Sequence, residues 1–360
     1  MTSRGARLQT RRSRTKQYTS APSSAGKKRA LTDVTNQVAV KHPAYLKKEC
    51  GDVCSEVVEM LPVLNDQVDE PDSMVISPAS SKLDVSMKEP IVDIDMMEDP
   101  ALSCAEYTHD IFLYLRETEV RYRPNANYMR KQPDISSNMR SILMEWLVEV
   151  ADEYKLQPQT LYLGSSYVDR FLSCMSVTRS KLQLLGTAAL YLAAKLEEIY
   201  PPELKDFVYI TDDTYTKRQV VKMEQVVLQC LQFNLVTPTA HTFLIRYLRA
   251  VEVDETVDRL AHYLCELTLL WDEPFLRYLP SSLAASCVCI ALHTIGHNAW
   301  PATLAHYSQY NMSDIRDCIQ DVHTVFCQVP TSPRQAIRDK YMTDKYLRVS
   351  LLQPPETLPF

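Results

Sequence analysis

From residue 133 onward, apolar residues recur at spacings of three and four, and prolines and short polar stretches interrupt them. This pattern predicts helices over 136–155, 158–175, 179–198, 202–210 and 216–233. Asp134 or Ser136 can cap the first, and Pro158 and Pro201-Pro202 sit at first-turn positions of later ones. A second series follows Pro238, over 239–250, 254–271, 280–296, 301–308 and 312–328. The third helix of each series is rich in small residues: Thr187-Ala188-Ala189 and Ala193-Ala194 in one, Ala284-Ala285-Ser286 in the other. Each series closes with an apolar helix and a proline, Pro238 or Pro330, so the chain reads as two copies of one five-helix unit, offset by about 95 residues. One earlier helix begins near Cys104, carries Tyr107, Ile111, Tyr114 and Leu115 on one face, and stops at Arg123-Pro124. Residues 1–103 have no sustained helical period and read as a disordered tail. The expected organisation is therefore all-α: a tail over 1–103, a helix over 104–122, units over 134–237 and 238–335, and an extension over 336–360.

Composition narrows the chemistry. The 360 residues include 6 glycines, each at least twenty positions from the next, so no glycine-rich phosphate loop or dinucleotide fingerprint can form. The net charge of −6 is unevenly spread. Residues 1–48 carry twelve Lys/Arg against one acid, and residues 49–110 carry sixteen acids against two Lys. That asymmetry points to a tail with partners of its own rather than to a nucleic-acid-binding fold. The 10 cysteines form no Cys-x-x-Cys, and no apolar stretch is long enough to span a membrane, which suggests a reduced intracellular setting without membrane contact.

The helix over 139–154 has an apolar arc wider than a surface helix needs. Met139, Ile142, Leu143, Trp146 and Val150 fill one side; Ser141, Glu145 and Asp152 mark the solvent strip. Burial in the bundle and a docking face both account for such an arc. Arg140 lies inside it and needs a partner; Asp169, amid apolar neighbours on the next helix, is the candidate for a structural ion pair.

Met139-Arg140-Ser141-Ile142-Leu143-Met144-Glu145-Trp146-Leu147-Val148-Glu149-Val150, followed by Tyr167-Val168-Asp169-Arg170-Phe171-Leu172, resembles the cyclin box. So do the run from Lys181 to Ala189 and Lys195-Leu196-Glu197-Glu198-Ile199-Tyr200-Pro201-Pro202-Glu203. Residues 209–217 and the ending Pro354-Pro355-Glu356-Thr357-Leu358 are similar to A-type rather than B-type cyclins, and the resemblance covers about residues 104–358.

The resemblance implies a noncatalytic subunit, without cofactor or metal, that activates a cyclin-dependent kinase by favouring the kinase state in which the αC Glu pairs with the ATP-binding Lys. It assigns the key kinase contacts to Lys195 and Glu224, with Leu196 and Glu197 beside them, and to Tyr107, Ile111 and Tyr114 on the N-terminal helix. Leu196 departs from the aromatic usual in the family, a difference of about 1 kcal/mol in contact energy. The alternative for Tyr107, Ile111 and Tyr114 is a stripe packed on the bundle. Met139, Ile142, Leu143, Trp146 and Leu182 resemble the shallow patch that receives Arg-x-Leu motifs of substrates and inhibitors, with Glu149 pairing the basic residue and Gln183 contacting the peptide backbone. In the tail, Lys28-Arg29-Ala30-Leu31-Thr32-Asp33-Val34-Thr35-Asn36 resembles a destruction box read by the anaphase-promoting ubiquitin ligase, through Lys28, Leu31 and Asn36. Lys28 stands where the family normally has Arg. Basic clusters at 11–14 and 27–29 suit nuclear import, and the expected location is the nucleus with some cytoplasmic pool.

Cys287, Cys289, His293 and His297 share part of a helix in a spacing that suggests a metal site, but the helix is apolar throughout and buried thiols with satisfied histidines explain it better. The rival function is a cyclin-fold transcription factor or peptide-binding adaptor that does not act on a kinase; it predicts a basic groove or the loss of the Lys195 and Glu224 pair.

Overall fold

The computed structural model describes residues 91–95, 105–251 and 254–360. Twelve α-helices build it, and no β-strand forms among the described residues. Helix α1 spans Ala105–Arg121. The first unit comprises α2 (Ser137–Glu153), α3 (Pro158–Cys174), α4 (Arg179–Glu197), α5 (Leu204–Ile210) and α6 (Lys217–Cys230). The second comprises α7 (Ala240–Arg249), α8 (Glu255–Leu267), α9 (Pro280–Ile295), α10 (Ala302–Ser308) and α11 (Arg316–Gln328), and α12 (Ala336–Tyr341) follows. Two tandem five-helix units behind one leading helix is the architecture that the periodicity predicts.

Local chemistry sets the helix starts. Ser136, not Asp134, caps α2, its hydroxyl accepting from the Met139 N–H; Asp134 instead binds the Arg179 backbone and guanidinium at the start of α4. Thr216 and Thr239 form capping boxes with Gln219 and Thr242, and Asp254 accepts from the Val257 N–H at 2.9 Å. Pro158 and Pro280 occupy first-turn positions, where a missing N–H costs nothing.

Each unit wraps around its third helix. From Leu182 to Ala194, α4 buries every residue but Tyr191, which is half-buried, and α9 is buried from Leu283 to Leu292 apart from half-buried stretches at its ends. Small residues allow the neighbours to close in. A Cβ on Gly186 would lie 2.6 Å from Leu143 Cδ1, and one on Gly164 would lie 3.3 Å from Leu190 Cα, so α2 and α3 both approach α4 through a missing side chain.

Two features depart from the sequence reading. Residues 91–95, assigned there to the tail, lie on the second unit: Ile94 is buried, the Val92 N–H donates to Thr303 Oγ1 at 3.3 Å, and Asp95 receives both guanidinium nitrogens of Arg246 at 2.9 and 3.1 Å. Five residues are too few to display a period, which is why pattern reading passes over them. The solvent strip on α2 is also different. Ser141 is buried, and Glu145 is half-buried under the chain entering α12; Glu145 Oε1 accepts from the Ala336 N–H at 3.1 Å and Oε2 lies 3.6 Å from Arg334. The exposed positions are Ser137, Asn138, Glu149, Asp152 and Glu153.

Candidate functional site

Helix α1 packs on the second unit. Phe112 meets Phe243 of α7 edge-on at 6.1 Å, under the Arg246 guanidinium. Glu119 is fully buried and accepts from the Ser281 N–H at 2.9 Å and the Ser281 hydroxyl at 2.7 Å, so its carboxylate caps the N-terminus of α9. Burial raises its pKa above the ordinary carboxylate range, against the pull of Ser281 and of Arg116 at 3.1 Å. With Phe112, Thr118 and Glu119 facing inward, the opposite stripe faces solvent: Tyr107 is 58%, Ile111 48% and Tyr114 61% exposed. Packing on the bundle therefore does not account for these three residues. An apolar stripe of this kind on a clamped helix is what a partner protein can cover.

At the other end of the molecule's first unit, Lys195 in the last turn of α4 forms an ion pair with Glu224 of α6 and lies 4.6 Å from the Tyr191 ring. Glu224 is buried and Lys195 partly exposed, so the lysine is fixed in place at the surface. Leu196 is 40% exposed beside it, and Glu197 is exposed. Glu198 turns inward and accepts from the Gln157 N–H at 2.7 Å and the Thr160 hydroxyl at 2.6 Å. The two adjacent glutamates thus have separate jobs, one closing the α3–α4 corner and one facing outward.

Other large apolar side chains that the helical pattern did not single out are also exposed. Ile199 and Tyr200 are almost wholly exposed, held out of any helix by Pro201-Pro202, and Phe233 and Val236 protrude from the linker between the units. The available signal was apolar bulk placed next to a proline or past a helix end, where no core can use it. Tyr167 donates to Leu235 O at 3.0 Å, and Tyr122, just beyond α1, donates to Asn234 Oδ1 at 3.1 Å. The linker therefore joins the end of α1 to the first unit.

The residues assigned to peptide docking come together on α2 and α4 at graded depth. Leu143, Trp146, Leu182 and Gln183 are buried, Met139 and Ile142 half-buried, and Glu149 exposed. Leu143 fills the space left by Gly186, so it belongs to the floor rather than to the accessible surface. The side-chain nitrogen of Gln183 has no hydrogen-bond partner. A buried amide in that state favours an incoming acceptor such as a peptide carbonyl.

Arg140 and Asp169 meet in the interior through two bonds, Nε to Oδ1 and Nη2 to Oδ2, both 2.7 Å. The Tyr128 hydroxyl adds a third bond to Asp169 at 2.7 Å, and Arg140 Nη1 donates to Leu269 O of the second unit at 3.0 Å. Burial opposes the charge on Arg140, but Asp169 and Tyr128 hold its pKa above the ordinary value. This pair is structural: it ties α2 to α3 and reaches across to the neighbouring unit.

His293 bonds Thr357 O at 2.8 Å, and burial pushes the Cys289 thiol up to about 12, so these helix residues have other roles; no metal-binding group forms among the described residues. Lys28, Leu31 and Asn36 lie outside the described residues.

Comparison with known proteins places this geometry. The model of the cyclin N-terminal domain matches residues 110–236, and that of the cyclin C-terminal domain matches residues 238–355. The chain belongs to the cyclin family. It is 51% identical to human Cyclin-A1 over 276 residues, 77% of this chain and 59% of the human protein, and 50% identical to Cyclin-A1 of Xenopus laevis over 301 residues, 81% of this chain and 72% of that protein. It thus spans about three fifths of the human relative's length. Among solved structures, a viral cyclin from Herpesvirus saimiri superimposes with a TM-score of 0.55 at 18% identity, over 60% of this chain and 96% of that one, which reflects the shared fold.

Proposed function

We propose that this chain is a noncatalytic regulatory subunit that binds a cyclin-dependent protein kinase and activates it. The observation that carries the reading is the outward stripe Tyr107, Ile111 and Tyr114 on a helix clamped from behind by Phe112 and Glu119. The fixed Lys195–Glu224 pair, with Leu196 and Glu197 beside it, supports it from the first unit. Neither face contains reacting groups; both offer binding area.

Activation then follows as population shift. A kinase whose αC helix and activation segment sample two arrangements is driven to the one that fits this surface, and the work comes from differential burial. Covering an exposed large apolar side chain is worth about 1.5–3 kcal/mol when the whole side chain is buried, so about half that for each half-exposed residue. Three on α1 with Leu196 supply about 3–6 kcal/mol and the almost wholly exposed Ile199 and Tyr200 about 3–6 more, which covers the roughly 5.5 kcal/mol that moves a 1:99 equilibrium to 99:1 when the burial is made in one arrangement only.

In the same reading, residues 134–237 and 238–335 are the two cyclin boxes, and 336–360 is an extension that packs on both, through Glu145 of α2 and Glu266 of α8. Met139, Ile142, Leu143, Trp146, Leu182 and Gln183 receive the Arg-x-Leu motifs of substrates and inhibitors, with Glu149 facing the basic residue. The tail carries the destruction box at Lys28, Leu31 and Asn36, through which the anaphase-promoting ubiquitin ligase times removal of the protein. The protein works in the nucleus, with some cytoplasmic pool, in S phase and the passage from G2 to mitosis.

The experiment is a binding titration with purified kinase in two arms. Tyr107→Ala/Ile111→Ala/Tyr114→Ala weakens kinase binding at least about 100-fold, the equivalent of roughly 2.7 kcal/mol, with an unchanged melting temperature. Met139→Ala/Ile142→Ala leaves kinase binding intact and raises KM for Arg-x-Leu peptides only. Equal binding by the triple variant contradicts the kinase face, and equal loss on motif-free peptides contradicts the patch.

A further inference from the structure

We propose that a cavity at the junction of the two units binds a small neutral aromatic alcohol. The cavity has a volume of about 120 Å³, close to the roughly 150 Å³ of an engineered protein cavity that takes up benzene. Four parts of the fold supply most of its wall: the end of α1 with the turn after it, the middle of α3, the linker into α7 and the connection between α8 and α9. It shares no residue with the stripe on α1, the Lys195–Glu224 pair or the face of α2 and α4 assigned to peptides.

The wall suits a ring. Tyr162, Trp271 and Phe275 supply aromatic surface, and Leu269, Leu276 and Leu283 supply aliphatic surface. It also suits a neutral molecule, because the charged groups in the lining are already committed. Arg140 gives Nε and Nη2 to Asp169 and Nη1 to Leu269 O, while Glu119 accepts from Ser281 and pairs with Arg116. A charged ligand would lose its hydration and find no free counter-ion among these groups.

Two hydroxyls define the polar group. Ser165 on α3 is 2% exposed and Thr237 in the linker 6%, and neither side-chain oxygen has a hydrogen-bond partner within the protein. A helical serine or threonine commonly bonds the carbonyl four residues back, as Thr187 does to Gln183 O and Ser286 to Ser282 O, both at 2.8 Å. Thr239, two residues beyond Thr237, donates to Gln159 Oε1 at 2.8 Å. Ser165 and Thr237 depart from this pattern, and both line the cavity. A buried hydroxyl is costly to leave unpaired. Each can donate one bond and accept another, so a ligand hydroxyl that donates to one and accepts from the other satisfies both.

Entry is controlled by a side chain. Arg123 is the one exposed residue of the lining, and its guanidinium reaches from just past α1 to the carbonyls of Leu276 and Arg277. A ligand therefore displaces a long flexible arm at the rim, and no helix has to move.

The test titrates 4-fluorophenol into the full chain at neutral pH, where the phenol keeps its proton. The fluorine resonance reports binding and tryptophan fluorescence reports location. The expected result is saturable one-to-one binding that changes the fluorescence of the wild-type chain but not of Trp271→Phe. Ser165→Ala and Thr237→Val each weaken 4-fluorophenol binding about tenfold, the loss of one hydrogen bond. Neither variant weakens the binding of fluorobenzene, which has the same ring without the hydroxyl. Circular dichroism verifies that the variants retain wild-type helix content. A fluorine shift that stays linear in ligand concentration, a fluorescence change that persists in Trp271→Phe, or equal 4-fluorophenol affinity in the wild-type chain and both hydroxyl variants overturns the assignment.

Discussion

Arg140 shows how one side chain can be read from the sequence and then found to do more than the sequence implies. A guanidinium inside an apolar arc demands a carboxylate, and Asp169 supplies it; Tyr128, from a segment without pattern, and the Leu269 carbonyl, from a turn just past the end of α8 at Leu267, complete the network. Because both charges are buried, removing one leaves the other unpaired, and Asp169→Ala should lower stability by about 3–5 kcal/mol. Urea unfolding at neutral pH measures this; a loss under 1 kcal/mol would mean that water reaches the site. His241 carries a second prediction. It stacks on Tyr162, meets His262 edge-on at 5.5 Å, and is lowered to about 4 by burial and then by His262. The unfolded chain, with an ordinary histidine value near 6.5, binds the proton that the folded chain excludes. This contribution is therefore complete above about pH 6.5 and is lost as pH falls toward 4, by at most about 3 kcal/mol. His241→Asn should flatten the stability profile between pH 6.5 and 4, and superimposable wild-type and variant profiles would contradict the assignment.

At the scale of elements, the helices were legible because apolar period, proline position and capping residues agree along most of the chain. The stripe on α1 was legible as well, but its orientation was not. Tyr107, Ile111 and Tyr114 look the same in sequence whether they face a core or a partner, and the answer depends on Phe112 and Glu119, which anchor the other side to α7 and α9. Short segments escape for a different reason. Residues 91–95 hold on through one apolar side chain and one ion pair, and Glu145 is covered by chain from almost 200 residues away. If Glu119 is the latch of α1, Glu119→Ala removes a buried, charge-assisted cap worth about 3 kcal/mol. Hydrogen exchange of the α1 amides should then accelerate about 100-fold while α4 and α9 stay protected. Unchanged α1 protection would place the latch elsewhere.

Over the whole molecule, the scarcity of glycine takes on a definite sense. Two glycines sit where α2 and α3 close on α4, and the architecture is a pair of helical units bound to each other through Arg140 and braced by α1 and by the C-terminal extension. Such a body has no phosphate loop and offers surfaces, which fits a subunit that changes the state of a partner enzyme. The fold and the family could be read from residues 104–358 because their motifs are long. The extent of the exposed apolar surface could not, because Ile199, Tyr200, Phe233 and Val236 lie in loops where no period ranks them. The central claim is tested most directly by the rate at which a cyclin-dependent kinase, already phosphorylated on its activation segment, phosphorylates a Ser-Pro peptide with and without the full chain. The account predicts a rise of about 100-fold, the passage from about 1% to 99% of the active arrangement, and its loss with Tyr107→Ala/Ile111→Ala/Tyr114→Ala. An unchanged rate in the presence of saturating, folded chain would contradict it.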